Sequence, residues 1–172
     1  MLLRHDLMEM ICSDEKDLIM EHYIRAVRLR LKFPGVSLPW IPPEKLWIPG
    51  CHVVAHAYAQ VFGAKAVDGE HAYFKGREVS ETGQTCIDLS TYAHSWNILE
   101  INDNLSLILD IYPDIGCPMM PVLLKNPHPA YWVPTDELFK RQIVKTLKES
   151  EQFPIEVRVV AEAFQKIGSV GS

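Results

Sequence analysis

Cysteine is scarce and scattered in this chain: Cys12, Cys51, Cys86 and Cys117 are the only four in 172 residues, and no two form a CxxC pair. Disulfides are not expected from such spacing in a chain without an export signal, so each cysteine has to be explained singly. Basic runs are lacking too. The formal net charge is −5, and the densest cationic group, Arg25, Arg28, Arg30 and Lys32, belongs to one helix of mixed charge. Nucleic acid and anionic membrane are therefore not expected partners. No apolar run reaches 18 residues, and the opening MLLRHDLMEMIC is interrupted by Arg4, Asp6 and Glu9 where a signal peptide needs a continuous apolar core. The expected location is cytoplasmic. Internal repeats and low-complexity segments are also missing.

What is present is the mix of a soluble globular protein, 48% apolar and 23% charged, at a length that suits one domain over 1–172 with a sizeable core. Ser13 to about Lys32 reads as an amphipathic helix capped by Ser13, with Leu18, Ile19, Tyr23, Ala26, Val27 and Leu31 toward the core. FPGVSLPWIPPEKLWIPG carries five prolines and predicts an ordered loop whose Trp40, Ile41, Leu46, Trp47 and Ile48 seek cover, either walling a cleft or lying over the core. A helix is expected from Cys51 or Val53 to Phe62, stopped by Gly63. AKAVDGEHAYF is strand-like with a kink at Asp68-Gly69, and Lys75 to Thr85 reads as an exposed loop. HSWNILEI and LSLILDIY predict an antiparallel hairpin around Asn102-Asp103-Asn104. Irregular text from Pro113 to Pro134, a helix from Thr135 to about Glu149, and a strand with a helix, or one helix, from Pro154 to Ile167 complete the chain. Asp88, Asp103 and Asp114 fall where turns are expected.

A thiol attacks a carbonyl as thiolate, so a catalytic cysteine needs something to lower its pKa from about 8.5, usually a helix N-terminus and an imidazole. Pro49-Gly50 sets Cys51 at a helix start, where unpaired N–H groups and the positive end of the dipole face the sulfur and are able to hold an oxyanion. The hairpin supplies the imidazole. Residues two apart on a strand share a face, so His94 goes with Trp96, and Ile108 with Asp110 and Tyr112. An odd-numbered loop pairs even positions across the hairpin and sets His94 beside Asp110; a two-residue loop would put them on opposite faces. Asn97, of odd parity, faces away from His94. Cys51, His94 and Asp110 thus read as nucleophile, general base and acid, and orienter of the imidazole.

In that chain order, GCHVVAHAYAQVFG, HSWNILE and LILDIYP resemble the transglutaminase-like superfamily of the papain-like clan, over roughly Pro49 to Pro113. The resemblance implies an α+β fold, an antiparallel sheet of four to six strands with the nucleophile-bearing helix packed against it. It implies cysteine-dependent acyl transfer or hydrolysis on an amide or ester carbonyl (protease, deamidase, amidase or transglutaminase type), a small-molecule or peptide substrate, and no cofactor. Two features depart from the family: no glutamine precedes Cys51 to complete an oxyanion hole, and the residue after the cysteine is usually not His. The family's aromatic oxyanion donors point to Trp47 or Trp40, and His52, Trp96 and Tyr112 are further candidates to border substrate. Two other readings stand beside this one. The same fold serves as a non-catalytic ligand- or protein-binding module, with Cys51 an inert thiol. Alternatively, Cys51, His52, His56 and His71 bind zinc, although HxxxH lacks the glutamate of HExxH. His71 and Tyr73 alternate on their strand and point to a cleft or to a plain sheet position.

Overall fold

The computed structural model describes residues 12–32, 35–79, 85–103, 105–112, 119–123, 131–133 and 150–169. Helix α1 spans Ser13–Leu31, α2 Cys51–Phe62 and α3 Phe153–Ser169. The strands are β1 Lys65–Val79, β2 Thr85–Asn102, β3 Leu105–Leu109, β4 Met119–Leu123 and β5 Tyr131–Trp132. They form one antiparallel sheet in the order β4-β3-β2-β1-β5, and the class is α+β. The predicted helix after Thr135, Cys117 and Asp114 lie outside the described residues.

Helix α2 is the centre of the assembly, packing on α3 and on β1 and β2. Its apolar stripe, Val53, Val54, Ala57 and Tyr58, meets Leu109 and Ile111 from the sheet side, Val160 and Phe164 from α3, and Ala26 and Leu29 from α1. Gly63 ends it in the left-handed region, φ 77°, and its N–H returns to Ala59 O, the position where a residue without Cβ is least strained. The opposite face of the sheet carries a second apolar group, Trp96, Ile108 and Tyr131 with Tyr92, Ile98 and Tyr112. Alternation along β2 sends Ser95, Asn97 and Leu99 toward the helices and His94, Trp96 and Ile98 away from them.

The hairpin reaches its expected parity by a different route. Asn102 pairs with Leu105, so only two positions lie in the turn, which alone would have turned His94 away from Asp110. A bulge between Glu100 and Asn102 leaves Ile101 unpaired and restores even-to-even pairing, Glu100 with Ser106 and Ile98 with Ile108.

Several expectations are corrected. Helix α1 is capped from Cys12, whose N–H donates to Glu15 Oε2 at 2.7 Å, and not from Ser13. Its buried face is His22, Ala26 and Leu29, while Leu18, Tyr23 and Leu31 are exposed. A polar residue leads that face because His22 Nδ1 receives the Tyr58 hydroxyl at 2.8 Å; burial lowers the His22 pKa and raises that of Tyr58 to about 12, which keeps both neutral. In the proline-rich loop a bridge between Val36 and Trp47 sets an alternation: Val36, Leu38 and Pro49 are buried, Trp47 packs against the core, and Trp40, Leu46 and Ile48 remain exposed. Lys75–Val79 continue β1 and β2 begins at Thr85, so both ends of the expected exposed loop lie on strands, its positions 80–84 lie outside the described residues, and Asp88 lies on a strand. Asp68 and Gly69 pair regularly with Ser95 and His94; the irregularity falls between Phe74 and Gly76. Strands β4 and β5 occupy part of the text expected to be irregular, and α3 is one helix.

Candidate active site

The site is built where α2 begins. Gly50 is extended, φ −74° and ψ 166°, and no side chain caps the helix; the 4-residue ladder starts with Val54 N–H to Gly50 O. The first-turn N–H groups therefore keep their capacity to bind an anion. A Cβ on Gly50 would meet nothing within 4 Å, so the entry to the helix does not depend on glycine.

On the sheet, the last β2–β3 pair is Asn97 with Leu109. At the level of His94 no β3 residue is paired to β2, and Cys51, at the start of α2, acts on the imidazole. His94 Nε2–H donates to Asp110 Oδ2 at 2.7 Å, with both side chains buried, 0% and 1% exposed. Asp110 has two further donors: Tyr131 Oη at 2.8 Å on Oδ2, and the Tyr112 backbone N–H at 3.3 Å on Oδ1. The carboxylate is thus fixed from β5 and from its own chain, and it fixes the ring.

The other ring nitrogen, Nδ1, is buried and makes no hydrogen bond within ordinary distance and angle limits among the described residues. Cys51 is nonetheless close enough for its thiol to raise the proton affinity of the ring. Burial, the largest influence on His94, pulls its pKa down; the hydrogen bonds and charges of Asp110 and Cys51 outweigh it and raise it to about 9. Rings surround the imidazole: Trp96 stacks at 6.3 Å and 22°, while His71, Tyr92, Tyr112 and Tyr131 meet it at steep angles between 5.5 and 6.3 Å. Such a sleeve keeps water from the His94–Asp110 bond and so strengthens it.

The remaining candidates separate. Trp96 and Tyr112 border His94, and His71 belongs to the same aromatic group, buried at its pairing with Tyr131 and Tyr92. Trp40 lies exposed in the loop. Trp47 packs on the helical core. His52 and His56 converge on Asp68, not on Cys51. Ser95 Oγ donates to Asp68 Oδ1, His52 Nδ1–H donates to Ser95 Oγ, and His56 Nε2–H lies 3.3 Å from both Asp68 oxygens. Among the described residues no group of three or more His, Cys, Asp or Glu could hold a metal ion. Asn97 faces away from His94, as its parity requires, and Nδ2 donates to Ala55 O at 2.8 Å.

Sequence reasoning missed Tyr92, Tyr131, Asp68 and Ser95. Tyr92 was within reach of it, being two residues before His94 on the same face. Tyr131 carries no local signal, since it arrives on a two-residue strand from distant text. Comparison of the chain with family models, with curated proteins and with solved structures finds no match in any of the three. No helix among the described residues is long and apolar enough to cross a membrane.

Proposed function

We propose that the protein is a cysteine-dependent acyltransferase or hydrolase of transglutaminase-like type, with Cys51, His94 and Asp110 as its triad. The observation that carries the reading is the buried His94–Asp110 hydrogen bond at 2.7 Å on a ring whose proton affinity is also raised by Cys51. Cys51 is the one member of the three with exposed surface, so a substrate carbonyl meets sulfur first. The sulfur attacks the carbonyl carbon of an amide or ester, forming the C–S bond, and the oxyanion faces the uncapped N–H groups of α2. As the C–N or C–O bond breaks, His94 passes its proton to the leaving group. Water or an amine then gives a proton to His94 and attacks the thioester, and Cys51 leaves as thiolate. Asp110 holds Nε2–H throughout, so that Nδ1 is the nitrogen that exchanges protons.

Iodoacetamide labelling tests the nucleophile. At about pH 6 Cys51 should label at least tenfold faster than the exposed Cys12, and His94→Ala should remove the difference. Equal rates for Cys51 and Cys12 in the wild-type protein would sink the catalytic reading and leave a binding module as the alternative.

A further inference from the structure

Two neighbours at the start of α2 meet two neighbours on β2: Cys51 acts on His94, and His52 bonds to Ser95. Asp68 stands directly opposite Ser95 in the β1–β2 register. We propose that Asp68 is a positioning residue for the Cys51–His94 pair, holding the first turn of α2 against the sheet through Ser95 and His52. The inference rests on the reading of Cys51 as nucleophile.

The geometry separates this role from general docking of the helix. The body of α2 is already held by Asn97 Nδ2 on Ala55 O and by the buried Val54 and Tyr58. Its first turn has no side-chain cap, so nothing of that kind fixes the direction of the Cys51 Cβ. Ser95 Oγ takes the His52 N–H and gives its own proton to Asp68, so the hydroxyl's donor and acceptor are both used and its orientation is set. His56, four residues on from His52 and so on the same helix face, reaches the same carboxylate. One carboxylate therefore ties two successive turns of α2 to two strands. Burial raises the Asp68 pKa, but the nearby His52 imidazole, 3.7 Å away, and the hydrogen bonds from His56 and Ser95 outweigh it and hold the group well below the usual carboxylate range, ionised at neutral pH. A slip of His52 against Ser95 would shift Cys51 against His94 equally, because the residues are adjacent in both elements. An error of about 1 Å in such a pair is worth about a hundredfold in rate.

The test uses Asp68→Asn and Ser95→Ala in the full chain, with three readouts: iodoacetamide labelling of Cys51 at about pH 6 against Cys12, NMR titration of the His94 ring, and thermal melting. Cys51 labelling should slow about tenfold or more in both variants with Cys12 unchanged, and the His94 titration should move down as the thiol loosens from the ring. Variants that melt lower but keep the wild-type labelling rate and His94 titration would overturn the inference, because only fold stability would then depend on the cluster. If Asp68→Asn does not fold, Ser95→Ala decides, since it removes one hydroxyl and leaves the carboxylate. His94→Ala separates the two failures. If it slows Cys51 and the two variants do not, positioning alone fails; if it leaves Cys51 unchanged, the nucleophile reading fails and the positioning inference with it.

Discussion

His94 keeps its proton through the neutral range because Asp110 and Cys51 together outweigh the burial that opposes charge. The sign of its contribution to stability follows. With the folded pKa at about 9 and an unfolded value of about 6.5, the stabilisation is fully present below about pH 6.5 and is lost as pH rises through about 9. Urea unfolding from about pH 6.5 to 9.5 should show wild type losing stability that His94→Gln does not lose; parallel curves would mean that the ring is neutral when folded. Asp68 works in the opposite sense, its depressed pKa adding stability above about pH 4 that disappears as the carboxylate is protonated. On the proposed triad, Asp110→Asn keeps the shape and removes the charge that orients the ring, so any acyl-transfer turnover should fall by about 10⁴. Tyr131→Phe removes one of three donors and should cost about 1 kcal/mol of stability, read from the urea midpoint. The helix start at Cys51 and the placing of His94 beside Asp110 were legible in the sequence because each is set locally: Pro-Gly before a helix, and period-two alternation on two strands. Asp68, Ser95 and Tyr131 were not, because each gains its meaning from a partner brought in by tertiary pairing, Ser95 lying 27 residues from Asp68 and 43 from His52.

Among the elements, α2 matches its sequence closely, since an alanine-rich run between Gly50 and Gly63 has strong start and stop signals. Gly63→Ala should cost about 1–2 kcal/mol through strain at positive φ, seen as a fall in melting temperature, and leave the labelling rate of Cys51 unchanged. A change in labelling would mean that the far end of α2 governs its start. The hairpin is instructive in a different way. Its parity was readable from the apolar alternation, while the turn length was not, because the bulge at Ile101 absorbs one residue at no cost to the pattern on either side. Helix α1 misled in the ordinary manner of a polar core position. The partnership of His22 with Tyr58 hides its buried face from hydropathy, and apolar residues such as Leu31, 81% exposed, lie outside.

Among the described residues, the helices lie on one face of the sheet and an aromatic layer on the other, with Cys51, at the start of α2, acting on His94 of that layer. The α+β class was legible from the mixture of a 3.6-residue period with one clear hairpin. Strand order was not, since β5 pairs with β1 through contacts that no local pattern encodes. The central claim is that sulfur and imidazole act as one acyl-transferring unit, and an activated ester, p-nitrophenyl acetate, addresses it directly. Mixed at neutral pH with an equal concentration of protein, it should give a burst of nitrophenolate and a mass gain of one acetyl group on the Cys51 peptide, which decays with time and faster when an amine is added. His94→Ala should lack the burst. A wild-type protein whose Cys51 peptide gains no acetyl group, or gains it no faster than in His94→Ala, would contradict the triad.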